Sequence, residues 1–226
     1  MQPSDQAQQV PAWRRRTAGE HRWPAALAVG VAIALQVPLP SSIVPIGRLV
    51  LPVVELVVLV VLFVANPFRI DRESDALRML ALANLGFIAL ANGWSVVLLV
   101  RRILSHEPIT PGSLLAAGAA IWLTNVIVFA LAYWEFDRGG PAVRTSGRVE
   151  VPDFLFAQMQ NPEMAPRDWE PAFADYLYLA FTNAAAFSPT DVLPLSRWAK
   201  LLMMGQSAVA LIIAALVVAR AVNVLG

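Results

Sequence analysis

The chain has 226 residues, of which 58% are hydrophobic and 15% charged, with a net charge of +1. Charge this sparse, against about 25% in soluble domains, excludes an ordinary water-soluble fold. The near-neutral balance implies no large basic surface and so excludes nucleic acid as a partner. The absence of cysteine removes disulfides, thiolate chemistry and Cys-type zinc or iron–sulfur sites.

Residues 1–22 are polar and carry Arg14, Arg15, Arg16 and Arg22 near their end. They are expected to form a disordered tail with a basic anchor ahead of a membrane span. Pro38-Leu39-Pro40 is a poor cleavage site, so the next apolar segment reads as a retained span rather than a signal peptide. Span one is expected over about 24–40, with Pro24 at a helix start and Trp23 at the interface. Span two is expected over about 49–65, stopped by Asn66-Pro67. After a loop of mixed charge, with Ser74 or Asp75 as a cap, span three runs over about 79–100 to Arg101-Arg102. Span four covers about 113–134 and ends in Tyr133-Trp134, read as an interfacial pair. Its Ala116-Ala117-Gly118-Ala119-Ala120 patch allows close helix approach. Residues 23–134 thus form a four-helix transmembrane region. Residues 135–173 read as an extramembrane loop, with turns at Asn161-Pro162-Glu163 and Trp169-Glu170-Pro171 and little regular structure beyond a short helix around 152–159.

Residues 174–226 carry the pattern on which the functional reading rests. An apolar run over 175–187 is too short to span, since a helix needs roughly 20 residues. The turn-forming Ser188-Pro189-Thr190-Asp191 follows, and then a long apolar helix over 198–219. Half-helix, turn and full helix make a re-entrant loop before a final span. Irregular backbone at that depth survives only inside protein or beside a wet cavity.

This stretch resembles the pore helix, filter and inner helix of two-transmembrane potassium channels. Asp191-Val192-Leu193-Pro194 matches the D-x-x-P that follows the filter, and Leu195-Ser196-Arg197-Trp198-Ala199-Lys200-Leu201 the start of the inner helix. Thr182 falls in the pore-helix threonine region. The selectivity-filter glycines are absent: where a potassium filter reads T-V-G-Y-G-D, this chain reads Ala186-Phe187-Ser188-Pro189-Thr190-Asp191. A threonine resists positive φ, and Pro189 restricts both itself and Ser188, so a stack of inward carbonyl rings is not expected. The chain as a whole also resembles a bacterial integral membrane protein family of unknown function, through Tyr178-Leu179-Ala180-Phe181-Thr182, the acidic residue after the loop and the Ala221-Val222-Asn223 tail. The channel resemblance implies a homo-tetramer in the lipid bilayer. Its ion path would draw on Thr182, Asn183, Ser188, Thr190 and Asp191, with weak selection among monovalent cations.

The expected fold is an all-α polytopic membrane bundle of five transmembrane helices plus a re-entrant half-helix, in the bacterial inner membrane. With five crossings, thirteen of the seventeen Lys and Arg fall on one side. The positive-inside rule places that side in the cytoplasm, whereas channel geometry demands the reverse. Six full crossings are the alternative, which Pro189 and Asp191 disfavour.

Glu55 is a carboxyl in the middle of span two, costly there unless protonated, paired or wetted. It is either an ion or proton site or a fastener between helices. Asn84, Asn92, Asn125, Asn183 and Gln206 are amides suited to interhelical hydrogen bonds. Gly205-Gln206-Ser207 has the look of an intramembrane serine protease motif, but neither histidine, His21 or His106, lies in a span to serve as its base. No enzyme activity, cofactor or metal is expected. Three functions remain: a weakly selective cation channel, a non-conducting structural or accessory membrane protein, and a small proton-coupled transporter using Glu55.

Overall fold

The computed structural model describes residues 11–40, 49–65, 75–105, 110–149, 151–185 and 191–225. Four helices come first: α1 (Trp23–Gln36), α2 (Val50–Ala65), α3 (Asp75–Leu104) and α4 (Pro111–Phe136). Two short helices follow, α5 (Pro141–Arg144) and α6 (Ala157–Gln160), and then α7 (Phe173–Ala185) and α8 (Arg197–Leu225). The two-residue strands β1 (Phe154–Leu155) and β2 (Leu193–Pro194) pair antiparallel, so the all-α expectation holds apart from this minimal ladder.

Among the described residues, three helical stretches are long and apolar enough to cross a membrane: Ala76–Leu104, Gly112–Gly139 and Arg197–Ala219. This is the architecture of a helical membrane protein by length and composition. The helix α1, of 14 residues, stops at Gln36, short of the expected 40. It is about 21 Å long, against a hydrocarbon core of about 30 Å. The helix α2 has 16 residues and matches its expected bounds. Val53, Val57, Val60 and Val64 on α2 are each more than half exposed. In water such a row would be an aggregation-prone patch, whereas acyl chains cover it at no cost.

Local signals explain the helix starts. Pro24 opens α1. Pro111 opens α4, where the Thr110 hydroxyl accepts from Ser113 N at 3.3 Å. Asp175 reaches back from the first turn of α7 to accept from Ala172 N at 2.8 Å. The Asn66-Pro67 stop, Ser74 and His106 lie outside the described residues.

The central helix is α4, which packs against α1, α3, α7 and α8. Its apolar stretch is 67% buried while that of α8 is 28% buried, so α8 lies at the edge with one face open. The two run antiparallel, Phe136 stacking edge-on with Trp198 at one end and Gly118 meeting Val217 at the other. A Cβ on Gly118 would stand 2.7 Å from Val217 Cγ2, so the small residue is what lets these helices approach.

Residues 135–173 hold only short regular elements, as expected of a loop, but they are packed; residues 11–22, expected to be a disordered tail, pack with them. Together they fold into a cap. Trp13, Phe154, Phe156, Met159 and Phe173 are buried in one cluster with α4, α7 and α8. The reason is chemical: aromatic side chains in both segments have apolar area to bury, and the side chains around them satisfy the irregular backbone. The expected helix near 152–159 is instead β1 followed by α6. Tyr133 and Trp134 are also buried rather than placed at a lipid interface.

Candidate functional site

The cap is organised on the fully buried Asp137, the residue that ends α4. Its Oδ1 accepts from the backbone N–H of Asp153 at 2.9 Å and of Phe154 at 3.3 Å. Its Oδ2 accepts from the Tyr176 hydroxyl at 2.7 Å and from Arg138 Nε at 3.2 Å. Asp153 continues the net, accepting from Arg138 N and from Trp198 Nε1, each at 2.9 Å. One carboxylate thus ties α4 to β1 and α7, and the next ties β1 to α8. Arg138 holds φ at +52°, rare for a residue with a side chain, and Gly139 and Gly140 follow at +82° and +103°. This left-handed run reverses the chain after α4, and Arg138 Nη1 reaches the Trp13 carbonyl at 2.9 Å.

Arg144, also buried, donates to the carbonyls of Trp134 and Asp137 and to Glu20 Oε1. Its guanidinium centre lies 5.1 Å from the Tyr176 ring centroid. Glu20 accepts in addition from Trp134 Nε1 and from Phe173 N. Burial pushes the Glu20 carboxyl above its ordinary range, and Arg144, Trp134 and Phe173 only partly hold it down. Burial would lower the Arg144 guanidinium, but Tyr176, Glu20 and Asp137 hold it above its ordinary value.

Beneath the cap a second net joins α4, α7 and α8. The Tyr133 hydroxyl donates to Gln206 Oε1 at 2.6 Å, and Asn183 Nδ2 donates to the same oxygen at 2.8 Å. Gln206 Nε2 donates to the Ala180 carbonyl at 2.8 Å, and the Ser207 hydroxyl to Asn183 Oδ1 at 3.1 Å. Every polar atom of the two amides has a partner. Among the described residues the Ser207 hydroxyl is bonded to Asn183 and to no basic side chain.

Of the five residues of the expected ion path, three are described: Thr182, Asn183 and Asp191. Asn183 faces inward, into this net. The Thr182 hydroxyl folds back on its own helix, within 2.9 Å of the Tyr178 carbonyl. Ser188 and Thr190 lie outside the described residues. Asp191 is exposed, 3.4 Å from the hydroxyl of the exposed Tyr178. Glu55 is fully buried on α2, with Oε2 accepting from Gln36 Nε2 at 2.6 Å.

Sequence reasoning found the amides but missed Glu20, Asp137, Arg138, Arg144, Asp153 and Tyr176 as a set. The only signal was the crowding of charge around Gly139-Gly140-Pro141, which reads as a solvated turn.

Fold and sites together define a helical membrane protein with a polar, hydrogen-bonded cap at one end and two buried polar sites among its helices. Comparisons with protein-family models, with curated proteins and with solved structures give no match for this chain.

Proposed function

We propose that this is a multi-pass inner-membrane protein of five crossings with a re-entrant module at 173–194. Copies of it assemble on that module into a weakly selective cation path. The observation that carries the reading is that both ends of the module are anchored on one cap. The start of α7 is held there by Glu20 and Asp137, and β2 is held there by β1 and by the bond from Leu195 N to the Asp153 carbonyl at 2.8 Å. Two ends held at one face support a segment that dips in and returns rather than one that crosses. Its rim carries Tyr178 and Asp191, exposed and side by side, where a carboxylate favours cations. The open face of α8, with Gly205 and Ala208 exposed, is suited to contact between copies.

A second reading is favoured by one observation. The amide of Asn183, which a wet path would use, is fully occupied with Gln206, Tyr133, Met203 and Ser207. On that reading the module is a closed structural element.

The deciding experiment is native mass in nanodiscs together with monovalent cation flux into proteoliposomes. The channel reading expects a tetramer, flux above protein-free vesicles, little preference for potassium over sodium, and reduced cation-over-anion preference in Asp191→Asn. A monomer removes it. A tetramer without flux decides for the structural reading.

A further inference from the structure

The amide of Asn84 does not make the interhelical bond that its residue type suggests. Asn84 is 8% exposed, yet its side chain has no hydrogen-bond partner among the described residues. Its amide keeps open surface, in contrast to Asn125 Nδ2, which is sealed. An amide left without a partner in an apolar bundle is costly unless something fills the space it faces.

Asn84 lines a cleft of about 60 Å³ between α1, α2, α3 and α4. Arg22 and Glu135 line the end nearest the cap. Further in, the walls are Val29, Leu62, Ile88 and Leu131, one from each helix. The space is several times what one water needs, and hydrocarbon is the filling such walls favour. Depth orders these groups. Arg78 marks the cap level on α3, since its Nη2 lies 3.5 Å from where a Cβ on Gly140 would stand. At about 1.5 Å per residue, Asn84 lies roughly 9 Å deeper along α3 and Ile88 roughly 15 Å deeper. From the cap inward the cleft thus presents a guanidinium, an amide and then hydrocarbon.

A glycerophospholipid carries its groups in the same order: phosphate, ester carbonyl, acyl chain. We propose that the cleft holds one acyl chain of a bilayer glycerophospholipid. The ester carbonyl accepts from Asn84 Nδ2 and the phosphate accepts from Arg22. A guanidinium has five N–H donors, so Arg22 serves a phosphate in addition to its other contacts. Glu135 beside it disfavours a second negative charge, which suits a phosphodiester over a phosphomonoester. The cleft takes only the first few methylenes. Phe63 lines it and is 43% exposed, so the rest of the chain leaves past that ring onto the lipid-facing row of α2. No residue of the module at 173–194 lines the cleft, so the site stands whether or not the module conducts.

The test is native mass spectrometry of the full-length protein, stripped of co-purified lipid in detergent and then titrated with defined lipids. The probes are dioleoyl phosphatidylglycerol, its diether analogue, which lacks the ester carbonyls, and dioleoylglycerol, which lacks the phosphate. The expected result is one saturable adduct with the diester phospholipid and several-fold weaker binding of each of the others. Asn84→Leu should weaken the diester several-fold and the diether little; Asn84→Ala replaces it if the leucine variant folds poorly. Arg22→Gln should weaken both phospholipids and leave dioleoylglycerol as it was. Equal affinity for diester and diether in the wild type, or a graded series of adducts without a saturable first one, would overturn the proposal. Neither of those results depends on a variant folding.

Discussion

At the scale of single residues, the cap has its stability concentrated in a few buried polar groups. Asp137 accepts four hydrogen bonds without exposure to water. Its replacement by alanine orphans two backbone N–H groups and Arg138 Nε and leaves that buried guanidinium without its carboxylate, and is expected to cost about 3–5 kcal/mol, as for a broken buried pair. Tyr176→Phe removes one of the four donors and should cost about 1 kcal/mol. Thermal melts in detergent read both, and a Tyr176→Phe loss as large as that of Asp137→Ala would place the strain elsewhere. Gly140→Ala should cost about 1–3 kcal/mol, because its φ of +103° suits glycine and a Cβ would stand 3.0 Å from the Glu135 carbonyl. Glu20 adds a pH dependence with a definite sign. Its folded carboxyl is raised by burial, so protonation favours the folded chain. That contribution is complete below the unfolded pKa and is lost as pH rises through the folded one. The melting temperature of the wild type should therefore decline across that interval, and the slope should flatten in Glu20→Gln. An unchanged slope would take Glu20 out of the account.

Among the elements, the α4–α8 contact separates two glycines that look alike in sequence. Gly118 touches Val217, whereas a Cβ on Gly205 would meet nothing within 4 Å. Gly118→Leu overpacks the seam and should destabilise the chain by about 1–3 kcal/mol or more. Gly205→Leu should leave the melt of the single chain within about 0.5 kcal/mol and weaken only the association of copies. Melting and native mass measured on the same two variants separate these effects; loss of chain stability in Gly205→Leu would contradict the open face. The long helices were legible from the sequence because apolar runs bounded by Arg101-Arg102, Pro111 or Trp198 follow from the length of the hydrocarbon alone. The end of α1 was legible only to within a few residues, since Pro38 and Pro40 both mark a stop and the helix ends at Gln36, ahead of the first of them. The inward aim of Asn183 was not legible. A half-helix of 13 residues offers several faces, and its partner Gln206 lies 23 positions away.

For the whole molecule, the cap is the part least visible in the sequence. Its bonds join segments that are far apart: Thr17 Oγ1 donates to Glu170 Oε2 across 153 positions, and Trp134 Nε1 to Glu20 across 114. No local pattern marks such pairs, and the same arginines and prolines read equally well as a solvated tail and loop. Glu55 was legible as an anomaly, since one carboxylate in an apolar run stands out, but its partner Gln36 lies on another helix, 19 positions away. The cap's long reach has a consequence for how the protein is made. A ribosome adds about 5–20 residues per second, so the first strap waits roughly 10–30 s for Phe173 and Glu170 to emerge. For most of that interval, until Gly147 has been made, Arg15 and Arg16 lack the backbone they lie against. In the finished chain the backbone of Arg15 and Arg16 runs so close to Gly147 that a Cβ there would stand 2.7 Å from the Arg15 carbonyl carbon. Nascent chains halted before residue 165 should be clipped by trypsin at these arginines, while the completed chain resists. Equal cleavage of both would mean that the N-terminal strap is not closed by the later segments. The strap at residues 13–20 is thus expected to stay open until residues 145–173 have been made, a clasp whose two halves are separated by four helices of synthesis.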